Sequence, residues 1–480
     1  MRLTKKDFDA VVVGSGPNGL AAAITLQQQG LSILLVEAKN TLGGGLRSEE
    51  LTLPGFTHDV CSAVHALAAS SPFFSTLPLN NFGLEYIFPP VAAAHPFDDG
   101  TAAALYQSIE KTAATLNDDA DFYNKFMNDL VEDWPLINEV ILGPFKFPKH
   151  PFAAAQFAYY ALSSSYHFAE KNLHNKQSRG FWAGMSAHSI QPLTNYATSA
   201  FAMMLLMLGH LKGWPVVKGG SQKLADALVA YFISLGGKVE MNTTINSLQQ
   251  LPSSNAVLFD VTPKQLLKIA GQKFSSFYQR QLKNYRYGMG VYKIDWALDA
   301  PVPFTNEVCR NAGTVHLGNT LEEIVLSEKL TANNKHPEKP FVLFVQPGLF
   351  DETRAPKNKQ TAWAYCHVPN GSLENMTDKI EQQVERFAPG FKERILARHV
   401  MNTNELEDYN ANYIGGDING GRQDITQIFT RPALRFSPYR TSAKGIYICS
   451  SSTPPGGGVH GMCGYHAAKR ALKDIFRVKI

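Results

Sequence analysis

Residues 8–48 place the tightest constraint on what this chain can fold into. A mostly apolar run over residues 8–13 suits a buried parallel strand. Gly14, Gly16 and Gly19 follow as G-x-G-x-x-G. In that spacing the first glycine makes a tight turn, the second lets backbone approach a diphosphate, and the third packs helix on strand. A helix over about residues 17–29 turns its free N–H groups and positive end toward the anion, and Gly30 stops it. Residues 31–36 read as a second strand ending at Glu37, 21 residues past Gly16, where a carboxylate is placed to accept from ribose hydroxyls. A glycine motif alone is weak evidence, because such loops are often plain turns. Here strand, turn, helix, strand and acid occur in order, which predicts a βαβ dinucleotide site in an α/β protein.

At 480 residues the chain has room for two domains. Its 45 basic and 41 acidic residues leave a net charge of +4, too slight and too dispersed for a nucleic-acid partner. Cys61, Cys309, Cys366, Cys449 and Cys463 are far apart and form no C-x-x-C, so neither a metal site nor a redox dithiol is expected. Few, scattered cysteines suit a reducing cytoplasm. The opening MRLTKKDF has no apolar stretch of the kind that marks a secretory leader. No run approaches the roughly 18–20 apolar residues of a membrane span. Lys469, Arg470, Lys473, Arg477 and Lys479 give the last helix a basic face, read as a solvated surface with peripheral contact to anionic lipid as the alternative.

Five residues separate Glu37 from Gly43-Gly44-Gly45. This resembles the extended FAD fingerprint of the phytoene-desaturase and amine-oxidase clan, with Gly45 where that clan usually has Arg and Arg47 two places later. Two more blocks resemble the same clan. Residues 215–263 are similar to its internal GG–helix–GG–strand unit, and residues 445–475 (GIYICSSSTPPGGGVHGMCGYHAAKRALKDI) to its closing FAD motif, with Ser450 replacing a usual Gly. The match is best to the phytoene dehydrogenase-related flavoproteins, a group that includes retinol saturase. The resemblance implies FAD as cofactor. It places Gly14, Gly16, Pro17, Asn18, Gly19, Glu37, Ala38, Gly44, Gly45, Arg47, Ile245, Ser451, Gly457, Gly458, Val459 and His460 around it, with Ile245 near the adenine. It also implies a Rossmann-like FAD-binding domain built discontinuously from residues 1–70, 215–265 and 440–480. A second, α+β substrate domain with an antiparallel sheet takes residues 71–214 and 266–439.

The remaining segments are read locally. Residues 118–140 read as an amphipathic helix with a break or kink at Pro135. Residues 180–211 carry no formal charge over 32 positions, and fit either a packed helical core or the lining of an apolar pocket. Ser221 is a good N-cap for a helix with Leu224, Ala227, Leu228, Tyr231 and Phe232 on one face. Strands are expected at about 238–241, 243–248, 256–260, 287–297 and 340–346, a helix over Met376 to Phe387 opening at Thr377, and a loop over 410–422. Pro454-Pro455 suggest an extended path.

A flavin takes hydride at N5 and passes electrons on, while the protein places the substrate and excludes water. In carbon–carbon desaturation the vicinal hydrogen leaves as a proton, for which His65 and His460 are the candidate catalytic bases, ahead of His58, His188 and His210. Arg47, Asp59, Asp260 and Tyr465 are candidates to orient groups. No second dinucleotide fingerprint occurs, so the electron acceptor is expected to be oxygen, a quinone or NAD(P) at the flavin face. The reading is an FAD-dependent oxidoreductase of the desaturase or saturase type on an apolar organic substrate. The alternatives are an FAD amine oxidase, which would need a paired aromatic cage, and a non-catalytic protein that only holds FAD.

Overall fold

The apolar run at the N-terminus becomes strand Ala10–Val13, buried at every residue, and the glycine turn feeds helix Pro17–Gln27. In this computed structural model, which describes residues 6–478, that strand is the middle of a five-stranded parallel sheet. Ile33–Val36 and then Lys238–Glu240 lie on one side of it, and Ala256–Phe259 and then Ile446–Ile448 on the other. Three distant stretches of chain thus share one sheet. Parallel strands need crossovers, and both faces are covered as that demands. Helix Pro17–Gln27 is buried over ten of its eleven residues, packed against helix Met462–Ala471 on one flank and Gln222–Ser234 on the other. Gly464 permits the first contact: a Cβ there would lie 1.7 Å from the carbonyl oxygen of Asn18.

A second sheet has seven strands in the order Ile395–Met401, Gly290–Leu298, Gln360–Val368, Val342–Val345, Ala312–Leu317, Val91–Pro96 and Ala102–Leu105. All its neighbours are antiparallel except Ala312–Leu317 and Val91–Pro96, so the sheet is mixed rather than purely antiparallel. The hairpin 91–105 turns at Asp99-Gly100. Its alanine-rich strands give little β signal and went unrecognised in the sequence, where the D-G pair is the one local hint of the turn. Helices Ser165–Asn172, Lys176–Ala187 and Ser199–Lys212 stack beside this sheet, with Trp182 stacked on Phe168 at 4.0 Å.

Four local expectations are corrected. Residues 243–248 form no strand: Thr243 N–H reaches the Glu37 carbonyl, but the N–H groups of Asn246 and Ser247 go to the Gln250 side chain. Helix Ala120–Ile141 runs through Pro135 unbroken, on a face where the proline is exposed. Ser221 does not cap its helix with its side chain, because its hydroxyl donates to the Ser62 carbonyl (2.6 Å) and meets His65 Nε2 (2.8 Å). Residues 451–455 turn rather than extend, with a cis bond between Pro454 and Pro455. Within the uncharged stretch 180–211 most large side chains are core, including Phe181, Trp182, Met185, Met203, Leu206 and Met207. Lys479 lies outside the described residues.

Candidate functional site

The glycine turn forms a cradle that only glycine backbone leaves open. A Cβ on Gly16 would lie 2.7 Å from Asp260 Oδ2, and one on Gly19 would lie 2.0 Å from the Gly14 carbonyl oxygen. Gly44, with φ of +57°, packs so closely that a Cβ would lie 3.0 Å from Gly16 Cα. Pro17 carries no N–H, Gly19 N–H goes to Asp260 and Leu20 N–H to the Gly16 carbonyl, so Asn18 N–H is the donor that the first turn keeps for an anion.

Glu37 is the most constrained polar group here. One carboxylate oxygen accepts from Ser15 N–H (3.0 Å) and Ser15 Oγ (2.5 Å). The other accepts from Lys39 N–H (3.0 Å) and Arg47 Nη2 (3.3 Å). A carboxylate has about four such positions, so a ribose hydroxyl must displace one partner, and Arg47 is the longest contact. Arg47 also donates to the Thr41 carbonyl and lies 5.4 Å from the Tyr409 ring centroid. Tyr409 Oη donates to the Gly44 carbonyl, which closes the 409–413 loop over the second glycine run. That loop was expected as a connector; its Asn412 is also part of the site, accepting from Thr262 N–H and donating to the Asp260 carbonyl.

Asp260 ends strand Ala256–Phe259 beside this cradle. Burial pushes its carboxyl up to about 7, opposed by the Gly19 hydrogen bond and reinforced by the Glu37 charge. Asp59 behaves oppositely. Burial alone would raise it, yet the Arg354 guanidinium (2.9 Å), Ser221 N–H and Ser48 Oγ hold it below the usual carboxylate range. Arg354 Nε also donates to Asp351 and its Nη2 to the Val217 carbonyl, so each guanidinium nitrogen of this buried pair has a partner.

A cavity holding about 510 Å³ of space open to water runs from the cradle to the second sheet. Gly14, Gly16, Pro17, Asn18, Glu37, Ala38, Gly44, Gly45, Arg47, Ile245, Ser451, Gly458 and Val459 all line it. Gly19 and Gly457 do not: Gly19 supports the turn from behind, and Gly457 faces Asn419. The far wall is apolar, from Leu205, Trp214, Leu343, Val345, Trp363 and Tyr365. Trp363 and Tyr365 alternate on one strand, their rings 5.8 Å apart and 22° from parallel. The W-x-Y spacing was their only sequence signal, and the strand that carries it was not recognised.

The histidines separate clearly. His65 lines the cavity, but its Nε2 is bonded to Ser221 and its Nδ1 is fully enclosed without a partner. Burial lowers it to about 4, partly offset by Asp59. His460 is not on the cavity wall. Its ring is buried, its Nδ1 accepts from Met462 N–H (3.0 Å), and its carbonyl accepts from Ser71 Oγ (2.6 Å), so its role is to tie the glycine loop to the last helix. His58 and His210 are also off the wall, whereas His188 is on it. In the last helix Arg470 pairs with Asp474 (2.6 Å), as does Arg440, so part of its basic face is neutralised. No group of metal ligands occurs, and no helix is long and apolar enough to cross a membrane, among the described residues.

Parallel sheet, glycine cradle and the apolar chamber beside it together define a dinucleotide-dependent oxidoreductase, similar in sequence to phytoene desaturases. The pattern of the NAD(P)-binding Rossmann-like domain matches residues 12–76. Over nearly its full length the chain is similar to two proteins. One is pyridine nucleotide-disulfide oxidoreductase domain-containing protein 2 of Mus musculus, 24% identical over 98% of this chain and 94% of that one. The other is the neurosporene-forming phytoene desaturase of Rhodobacter capsulatus, 22% identical over 95% and 92%. A solved structure of a putrescine oxidase variant shares the fold, with a TM-score of 0.62, 15% identity, and coverage of 98% of this chain and 99% of that one.

Proposed function

We propose that the dinucleotide is FAD and that the protein transfers hydride between flavin N5 and an apolar organic substrate, in the manner of a desaturase or saturase. The observation that carries this is the single cavity joining the glycine cradle to a wall of Leu205, Trp214, Leu343 and Val345. FAD would supply the two-electron acceptor. Gly14, Gly16 and the first turn of helix Pro17–Gln27 would hold its diphosphate, Glu37 its ribose, and Ile245 its adenine side. Arg47 would leave Glu37 for the diphosphate as the ribose arrives. Ser451, Gly458 and Val459 would border the flavin end. In this reading residues 1–70, 215–265 and 440–480 form the FAD domain, and the rest the substrate domain. Oxygen, a quinone or NAD(P) would return the flavin to its oxidised form, in the cytoplasm, with the basic face of the C-terminal helix solvated.

Amine oxidation is the second reading, favoured by the similarity in fold to a putrescine oxidase and by the Trp363–Tyr365 pair. Those rings, however, are 22° from parallel with centroids 5.8 Å apart, closer than the ~7 Å that two ring faces need to hold a group between them at van der Waals contact, so this pair cannot clasp an amine. The test is to purify the chain, record its visible spectrum with FAD, and add candidate substrates without oxygen. Bleaching by the dihydro forms of apolar alkenes, or return of colour when the alkenes are added to the reduced protein, supports the desaturase or saturase reading. Bleaching by amines alone replaces it, and a protein that takes up no FAD overturns both.

A further inference from the structure

The glycine cradle is short of donors for the anion it is shaped to receive. Gly14 N–H goes to the Val36 carbonyl, Ser15 N–H to Glu37 and Gly19 N–H to Asp260. Pro17 has no N–H, which leaves those of Gly16 and Asn18 without a partner among the described residues. Two donors are thus spent on the chain's own carboxylates. Asp260 is the more central of these two acids. A Cβ on Gly14 would lie 3.1 Å from its Cβ, one on Gly16 2.7 Å from its Oδ2, and one on Gly19 3.1 Å from its Oδ2. One acidic side chain therefore lies against all three glycines of the turn. Asp59 has Arg354 to pair with it, whereas no Lys or Arg pairs with Asp260 among the described residues.

The two oxygens of the Asp260 carboxyl are not equivalent. Oδ2 accepts from Gly19 N–H at 2.9 Å. Oδ1 has no partner among the described residues, it is not one of the polar atoms sealed inside the protein, and Asp260 lines the cavity. In a neutral carboxyl the carbonyl oxygen is the better acceptor, so Oδ2 keeps Gly19 and the proton sits on Oδ1. We propose that Asp260 is a cofactor-binding residue that works as a neutral acid, donating Oδ1–H to the diphosphate of the dinucleotide, so that above neutral pH a proton enters the site with the cofactor.

The proposal rests on the dinucleotide reading above. A diphosphate linking two nucleosides is doubly negative near neutral pH, and Glu37 adds a further charge beside it. An ionised Asp260 would repel both, with a single backbone N–H to hold it. A protonated Asp260 removes that charge and supplies the donor the cradle lacks. Burial already pushes its carboxyl up to about 7, over the opposing Gly19 hydrogen bond and with help from the Glu37 charge. A bound diphosphate acts in the same direction as Glu37. The other groups packed around Asp260 do not change charge in this range. Strand Ala10–Val13 and helix Pro17–Gln27 carry no ionisable side chain. Burial raises the thiols of Cys449 and Cys463, the latter to about 11, and lowers His65 on the cavity wall to about 4.

The test is calorimetric titration of FAD into the cofactor-free protein at pH 6 and pH 8.5, repeated in buffers of different ionisation enthalpy, which counts the protons that enter with the ligand. At pH 8.5 the wild type should take up most of one proton per FAD, and its dissociation constant should rise about tenfold or more from pH 6. Asp260→Asn mimics the neutral acid: its amide oxygen keeps Gly19 N–H and its NH2 replaces Oδ1–H. It should match the wild-type affinity at pH 6, take up no proton, and hold that affinity at pH 8.5. Asp260→Ala, which has no donor, should bind more weakly than Asp260→Asn at both values. Equal proton uptake in Asp260→Asn and the wild type, or a wild-type affinity indifferent to pH, overturns the proposal. A wild type that takes up no FAD at either pH overturns the FAD reading instead. NAD, which carries the same diphosphate, is then the titrant, and the same proton count decides the role of Asp260. Binding of neither dinucleotide overturns both.

Discussion

Asp260 shows how one residue couples the cradle to pH. Its carboxyl is raised from 3.8 to about 7, so between those values the folded chain holds a proton that the unfolded chain has released. The stability this group contributes is full below its unfolded value and is lost as pH rises through the folded one. Asp260→Asn keeps an oxygen for Gly19 N–H and cannot ionise. The variant should therefore gain on the wild type by about 2 kcal/mol between pH 5.5 and 8, at ~1.4 kcal/mol per pH unit over the part of the window covered. Urea denaturation at both pH values measures it; an equal gap at the two would remove the coupling. The histidines give the contrasting lesson. His460 sits in a glycine-rich loop and reads as a flavin neighbour, yet its ring turns inward to receive Met462 N–H. Sequence located the loop but not the direction of the side chain.

At the scale of elements, the contact between helices Pro17–Gln27 and Met462–Ala471 depends on one missing side chain. Gly464→Ala would push a Cβ to 1.7 Å from Asn18 O and 2.7 Å from Asn18 C, both backbone atoms of the helix that begins at the cradle. Overpacking usually costs ~1–3 kcal/mol, and rigid backbone on the opposing side sets this case at about 3 kcal/mol or more. The urea midpoint should fall and FAD uptake weaken. Gly271→Ala, whose Cβ would meet nothing closer than 3.6 Å, should change neither. A Gly464→Ala protein as stable as the control would mean that the helices can separate without loss. The first βαβ unit was legible because all its signals fall within 48 residues. The hairpin 91–105 was not, because alanine strands are made stable by their neighbours rather than by their own preference.

Across the whole molecule, the nucleotide sheet was readable from three glycine-rich blocks, each with its own local grammar. The opposite wall was not, since it depends on pairings such as Ala94 with Val315 and Ile294 with Ala364, which no local pattern announces. The same holds for Trp363 and Tyr365. A ligand that touches many separated segments should stabilise the entire fold. FAD at about a thousand times its dissociation constant should raise the unfolding free energy by ~4 kcal/mol through mass action. A urea midpoint indifferent to added FAD would remove the cofactor from the proposal.

The sheet order carries a consequence for how the protein is made. Strand Ile446–Ile448 joins the sheet only at Ala256–Phe259, and the wall of the cavity takes residues from position 13 to position 459. A nascent chain leaving the ribosome therefore carries the N-terminal phosphate turn hundreds of residues before the pocket exists, and during that interval the edge at Ala256–Phe259 is unsatisfied. A chain ended before residue 446 would lack Ser451, Gly458 and Val459 of the cavity wall and would leave the edge of strand Ala256–Phe259 without its outer neighbour.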